Sequence, residues 1–532
     1  MDDNFSRSQV VRKAVVRGVG GVVAAQHRRA AEAGAAVLAA GGDAIDAAVA
    51  TSFAIGVVEP WMSGPAAGGV MTVWREAEQR AYAIDYGMRS PRALDPADYP
   101  LSGTGKAADL FPWPAVQDDR NVQGATAVAV PGVVAGMGLA HARFGRLHWR
   151  DLFGDAIALA ERGLQVDWYA GLMMASNVRV LANDPDAAAL FLDEGRWPIL
   201  GNWTALTDRR LDQRAHAATL RRLAHAGADD FYRGDIAQAL AGDVRAKGGC
   251  LSAADLAEYR AEIVAARAVR YRDATVYVAP GLTGGPTLAR CLDTLGVTLA
   301  PRRGAPPAAS YVAYASALDA AFRSRFETMG ADTASVCDAQ APTCTTHFSI
   351  VDREGNLCAV TQTLLSIFGS RVVSPQLGIL LNNGVMYFDP EPGKPNSLGP
   401  GKRGLANYCP IVASFDDGRR FALGASGGRK IIGTVLQIGA FMIDHGLSLE
   451  DAFHQPRIDL SGGDVLIADR ALPADVIAAL EATFPTVTAP RTVFPYAFAC
   501  PAGVLREDGM NMGCTEVMSP WGDAVSEGTR PD

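Results

Sequence analysis

Thr345 and Thr363 stand at the two open ends of a stretch that reads as one hairpin. Thr345-Thr346-His347-Phe348-Ser349-Ile350-Val351 alternates polar and apolar residues, and Leu357 to Thr363 does so again. Between them lies a polar loop with a glycine, Asp352-Arg353-Glu354-Gly355-Asn356. This pattern predicts two antiparallel strands joined by a short turn. If the loop is symmetric about Glu354, Val351 faces Leu357 and Thr345 faces Thr363. Directly opposed residues hold their Cβ atoms about 5 Å apart on one face of a sheet. A slip of one residue would send Thr363 to the other face. The chemistry on offer is nucleophilic. Cutting the chain just before Thr345 would leave an α-amine, of pKa about 8, on the residue that carries the hydroxyl. That amine can then serve as the base for its own nucleophile. The structural alternative is that the two threonines only satisfy each other across the strands.

Ser426 is the rival nucleophile. Gly424-Ala425-Ser426-Gly427-Gly428 fits G-x-S-x-G between a strand, Phe421–Leu423, and a helix, the setting of a hydrolase elbow. Such an enzyme needs an acid and then a histidine later in the chain. Only His445 and His454 remain, in or just after the next helix, so the spacing fits poorly. The consecutive glycines suit another task, because backbone N–H groups near a helix N-terminus can bind a developing oxyanion. Gly18-Val19-Gly20-Gly21 neither opens a helix nor completes a nucleotide fingerprint. The eight cysteines are scattered without a C-x-x-C pair and read as free, mostly buried thiols in a reducing compartment. Cys344 has nothing basic beside it in sequence, which favours a structural role. No histidine stands at metal-ligand spacing, so neither a metal nor a cofactor is expected.

The elements that would position these residues are legible in part. Residues 26–40 form an Ala-rich helical pattern that stops at Gly41-Gly42, and Asp43 can cap a second helix from Ala44 to about Val57. Met71–Trp74 and Ala81–Asp85 read as a strand pair. From about 130 to 330 the pattern is mainly helical: Val133–Ala142, Trp149–Arg162, Gln213–Ala226, Ala253–Glu258 and Ala308–Arg325. Residues 331–344 read as an exposed loop. Strands dominate afterwards, at Gly378–Leu381, Ile411–Phe415 and Arg420–Leu423, with helices over Ile431–Ile443 and near Ala474–Ala482. With 532 residues, 49% of them hydrophobic, the chain can bury a large core. Its net charge of −8, pI of 5.6 and mean hydropathy of +0.07 come without a basic run, so nucleic acid is not an expected partner. The polar start lacks a secretory signal pattern, and no apolar run reaches bilayer length. A cytoplasmic protein is therefore expected.

Taken together, these segments resemble the γ-glutamyltranspeptidase family of N-terminal-nucleophile enzymes. The motifs that carry the resemblance are Gly41-Gly42-Asp43-Ala44-Ile45-Asp46-Ala47-Ala48, Val57-Val58-Glu59-Pro60 and Thr345-Thr346-His347-Phe348-Ser349. Phe368-Gly369-Ser370, Gly378-Ile379-Leu380-Leu381-Asn382-Asn383, Lys402-Arg403 and Gly427-Gly428-Arg429 follow in the family's order. The resemblance implies an α+β fold, a four-layer αββα sandwich made as an inactive precursor. Self-cleavage between Cys344 and Thr345 would give a helix-rich large subunit, 1–344, packed on a small catalytic subunit, 345–532. The product would be a heterodimer, able to pair again. Thr345 would be the nucleophile, Thr363 its hydrogen-bonding partner, and Gly427 and Gly428 the oxyanion donors.

The substrate-reading positions depart from the transpeptidases. Gly87 stands where the family has its carboxylate-binding arginine, with Arg89 two residues on. Leu365 replaces an asparagine, Gly384-Val385-Met386-Tyr387 replaces Gln-x-x-Asp, and Ala406-Asn407 replaces Ser-Ser. Without the carboxylate, a substrate ammonium would lie unpaired, which is costly. The pattern is closer to the family's amidohydrolases, such as oxamate amidohydrolase and the cephalosporin or glutaryl acylases. The expected activity is hydrolysis of a small carboxylate-bearing amide through an acyl-Thr345 intermediate. Arg89 or Arg371 would pair with the carboxylate, and Tyr387 and Asn407 would line the site. That amide is expected to be oxamate-like; γ-glutamyl transfer or glutathione hydrolysis, a cephalosporin or glutaryl acylase, a Ser426 esterase and a non-catalytic relative are the alternatives.

Overall fold

The computed structural model describes residues 10–107, 111, 113–201, 208–329, 344–492, 494 and 496–528. The loop expected over 331–344 lies outside these residues except for Cys344. Among the described residues, fourteen strands build two large sheets: β1 (Val16–Gly18), β2 (Val22–Ala25), β3 (Gly68–Arg75), β4 (Arg80–Tyr86), β5 (Glu262–Ala265), β6 (Arg267–Tyr271), β7 (Ala274–Val278), β8 (Thr346–Val351), β9 (Leu357–Thr363), β10 (Ile411–Phe415), β11 (Arg420–Ser426), β12 (Cys500–Glu507), β13 (Met510–Thr515) and β14 (Asp523–Ser526). The first sheet runs β5-β4-β3-β9-β8-β2-β14 and the second β1-β13-β12-β11-β10-β7-β6. All their ladders are antiparallel.

The sheets pack face to face through small side chains, among them Ala24, Ala359, Ala422, Ala502 and Ala524. Outside the first sheet lie α1 (Arg28–Ala39) and α2 (Ala44–Val58), which join its largest apolar cluster. Outside the second lie α3 (Gly285–Thr298), α4 (Ala308–Thr328) and α5 (Lys430–Ile443), packed over Val276, Phe421 and Leu423. This is the four-layer αββα sandwich, of α+β class. The seven described cysteines are free. No helix among the described residues is long and apolar enough to cross a membrane.

α2 shows how local chemistry delivers a site residue. The Asp43 carboxylate accepts from the Ile45 and Asp46 N–H groups, while the Asp46 carboxylate accepts from the Asp43 N–H, a closed capping box. Every residue of the helix is buried, so it runs as a core rod between its neighbours rather than as an amphipathic surface helix. It stops because Pro60 disfavours helical backbone at Glu59, whose φ is −129°. The stop leaves the Glu59 side chain beside the start of β8.

The hairpin register is the one expected: Val351 faces Leu357 and Thr346 faces Gln362. β8 starts at Thr346, so Thr345 sits one residue before the strand, in line with Thr363. Residues 1–344 do not merely pack on a catalytic sheet; they supply β2, β3, β4 and β5 to one sheet and β1, β6 and β7 to the other. The mainly helical reading of 130–330 missed β5, β6 and β7, and β12 and β13 were also unforeseen.

Candidate active site

The reactive end of the hairpin centres on one carbonyl. The Thr363 hydroxyl donates to the Cys344 carbonyl oxygen at 3.2 Å, and the Thr345 hydroxyl donates to the same oxygen at very short range. The expected direct bond between Thr345 and Thr363 is thus replaced by a shared acceptor. In the uncut chain the peptide oxygen before Thr345 is still in place, and a carbonyl is a better acceptor than a hydroxyl. Thr363 is itself oriented, because its oxygen accepts from the Leu365 N–H at 2.9 Å. Leu365 adopts a φ of +93°, which a non-glycine residue rarely holds without a surrounding structure that imposes it. The Cys344 thiol points away from this chemistry and donates to the Trp61 and Met62 carbonyls at 3.1 and 3.3 Å. A structural role for Cys344 is what these contacts describe.

Thr345 opens on a cavity of about 300 Å³, counted out to its mouth. Cys344, Gly428 and Arg429 share its reactive end; Tyr387, Asn407 and Tyr408 form a polar wall, and Phe111, Leu365 and Ile431 complete the lining. The Tyr387 hydroxyl donates to that of Tyr408 at 2.8 Å. Gly427 and Gly428, with φ of +134° and +59°, make the turn from β11 into α5. Their carbonyls accept from the Lys430 and Ile431 N–H groups. In planar trans peptides the Gly428 and Arg429 N–H groups therefore point the opposite way, out of the helix N-terminus. Gly428 reaches the Thr345 cavity, whereas Gly427 borders a second cavity behind it, with Gln26, Glu59, Tyr169, Ser426 and Tyr496.

The other candidates are not brought to this pocket. Arg89 is an edge residue: its backbone bridges Val130 and Arg403, and its guanidinium lies 3.6 Å from Glu262. Arg371 is buried, with φ of +62°, and donates to the Val122 carbonyl at 3.0 Å. It braces the loop after β9 instead of facing Thr345. Neither arginine lines the cavity; Arg429, unremarked as a site residue although part of a quoted motif, does. Ser426 accepts from the Gln26 amide. His445 bonds Tyr314 and the Arg302 carbonyl, and His454 bonds the Glu450 carbonyl and the Lys13 N–H. Neither histidine serves Ser426, so the elbow geometry lacks its base.

Two buried titratable groups lie close to Thr345 in the hairpin. Glu59 accepts from the Thr346 hydroxyl at 3.0 Å, and burial lifts its carboxyl to about 7. His347 lies between the sheets, bonded to the Thr361 and Ser349 hydroxyls at 2.9 and 3.0 Å, and burial lowers it to about 3. It is neutral under ordinary conditions and has no route to act as a base for Thr345. Sequence reasoning quoted Glu59 only as motif; its position after a helix and before proline was the available signal.

The model of the γ-glutamyltranspeptidase family matches residues 30–339 and 317–494. The chain belongs to that family. The acylase ACY 1 proenzyme of Pseudomonas sp. (strain V22) is 34% identical over 496 residues, covering 87% of this chain and 86% of the relative. The glutathione hydrolase proenzyme of Escherichia coli (strain K12) is 30% identical, covering 88% and 86%. The crystal structure of cephalosporin acylase from Bacillus halodurans superposes with a TM-score of 0.83 at 25% identity, over 99% of both chains. Membership makes this protein an N-terminal-nucleophile hydrolase of amide C–N bonds, with the threonine nucleophile general to the family.

Proposed function

We propose that this protein is an acylase. It cleaves itself before Thr345 and then hydrolyses amides whose acyl group carries a distal carboxylate but no α-ammonium. The observation that carries this reading is the lining of the Thr345 cavity. Its walls carry three aromatic rings, its polar side chains are Thr345, Asn407, Arg429 and the hydroxyls of Tyr387 and Tyr408, and no carboxylate lines it among the described residues. A γ-glutamyl group would bring an ammonium with no counter-charge, a costly arrangement in a buried site. The acylase and glutathione hydrolase relatives bring no support to a substrate as small as oxamate, and three aromatic rings suit a longer acyl chain.

The same hydroxyl serves both steps. In processing, Thr345 Oγ attacks the Cys344 carbonyl carbon, which Thr363 polarises. The Cys344–Thr345 C–N bond breaks as an ester forms, and water releases the Cys344 carboxylate and the Thr345 α-amine. In turnover the amine takes the hydroxyl proton, Oγ attacks the substrate carbonyl, and the Gly428 N–H meets the oxyanion. The amine leaves with a proton, and water hydrolyses acyl-Thr345.

The test is a denaturing gel with N-terminal sequencing, followed by assay of glutaryl- and γ-glutamyl-p-nitroanilide. A fragment beginning Thr-Thr-His-Phe and a clear preference for the glutaryl compound are expected. Preference for the γ-glutamyl compound would move the protein to the transpeptidase side of its family, and an uncut, inactive chain would remove it from catalysis.

A further inference from the structure

Arg325 is the least expected charge in the molecule. It lies in the last turn of α4 and is 3% exposed. One nitrogen donates to the Thr283 carbonyl at 2.8 Å and the Thr287 hydroxyl at 3.2 Å. Another donates to the Ala406 carbonyl at 2.7 Å and to Asn407 Oδ1 at 3.2 Å. No carboxylate pairs with it among the described residues. Burial lowers its pKa to about 10, which leaves it charged at neutral pH. Buried cations without an anion are costly, and hydrogen bonds to neutral groups offset the cost only in part.

The contact with Asn407 gives that charge a use. Arginine offers donors only, so the amide must turn its oxygen toward the guanidinium. The Asn407 amide nitrogen is then the end left for the cavity that Asn407 lines with Thr345. A donor faces inward, with a positive charge directly behind it. An anionic group in the cavity gains from both, because Arg325 and Asn407 are both buried, where the local dielectric is low.

We propose that Arg325 is a specificity-determining positioning residue: it locks the Asn407 amide with its donor toward the cavity and, from behind, biases the site toward an acyl group bearing a carboxylate. Arg325 touches no substrate and acts through Asn407. This replaces the surface-facing Arg89 and the loop-bracing Arg371 as the source of anion preference. It rests on the acylase reading above for its substrates but not for its geometry.

The experiment compares two p-nitroanilides of equal size, glutaryl and 4-carbamoylbutanoyl, which differ only in a carboxylate against a neutral amide. The processed wild type should favour the glutaryl compound. In Arg325→Gln the glutaryl KM should rise on the order of 10- to 100-fold, the scale of one charge-assisted contact. Its kcat and the neutral compound's KM should stay within a few-fold, and Arg325→Lys should restore part of the preference. Asn407→Asp, which puts a carboxylate against Arg325 in place of the amide donor, should reverse the preference, and it carries the test if the Arg325 variants fail to fold or process. Equal losses on both substrates, or an unchanged ratio in Asn407→Asp, would overturn the proposal. Should the wild type turn over neither anilide, the acylase reading fails by itself. Calorimetric titration of the processed enzyme with glutarate against glutaramide then decides the present inference, and equal affinities overturn it.

Discussion

At the scale of single residues, the proposed site of self-cleavage is the Cys344–Thr345 peptide bond. Two hydroxyls converge on the Cys344 carbonyl oxygen, one from Thr345 and one from Thr363. Thr345→Ala should give a single uncut chain, since it removes the attacking atom, while Thr345→Ser should still be cut. Thr363→Ala should slow cutting about 100-fold or more, the scale set by loss of one oxyanion donor; a pulse-chase on denaturing gels reads the rate, and wild-type kinetics would show that Thr363 does not polarise the bond. Glu59 supports a second prediction. Its carboxyl titrates near 7 in the fold instead of its ordinary 4.5, because burial disfavours the charged form. The folded state thus binds more protons between these values. Its stabilising effect is complete below about 4.5, and is lost as pH rises through about 7, a change on the order of 3 kcal/mol. Urea melts of the uncut Thr345→Ala protein should show this loss, and Glu59→Gln should flatten it; an equal slope in both would assign it elsewhere. Thr345, Thr363 and the glycine turn were legible because period-two alternation and a G-x-S-x-G run are local signals. Arg325 was not, because nothing in its own helix announces that residues 406 and 407 return to meet it.

At the scale of elements, the strand that follows Thr345 is held by a close approach between sheets. A Cβ on Gly424 of β11 would lie 2.3 Å from Cε1 of His347 on β8. The missing side chain is what lets the neutral histidine ring fill the space between the sheets and bond Thr361 and Ser349. Gly424→Ala should therefore overpack this layer and destabilise by roughly 3 kcal/mol. Adding His347→Ala should return much of that loss, a coupling that a double-mutant cycle in urea measures directly. Additive losses would mean the two residues do not share the space. Part of this scale was readable: β8, β9 and β10 are short strand-like runs set off by polar, glycine-containing loops, and Asp43 and Pro60 punctuate α2. β5, β6 and β7 were hidden inside a region of strong helical periodicity. Their pairing with β4 and β10 is long-range, so local pattern did not separate them from their helical neighbours.

At the scale of the whole molecule, the proposed cut before Thr345 would divide the chain without dividing the fold. The ladders β3–β9, β2–β8 and β2–β14 in one sheet, and β1–β13 and β7–β10 in the other, each join a strand before Cys344 to one after it. Sequence alone placed a boundary here because helices dominate before it and strands after, and composition says nothing of strands that return to pair across the break. Each fragment alone would expose long unpaired strand edges and an apolar face, the conditions for aggregation. The cut protein should therefore elute from a sizing column in native buffer at the position of uncut Thr345→Ala. Separation into two peaks would contradict the interleaved sheets. Denaturant adds a kinetic distinction. The uncut chain refolds by intramolecular pairing, at a yield set by its own stability. The cut chains must first meet, so their recovery should fall as protein is diluted, as mass action requires of any assembly without stable parts. Refolding both forms across a hundred-fold dilution series measures this: a flat yield for uncut protein and a falling one for cut protein are expected. A flat yield for both would mean that one fragment folds alone and templates the other.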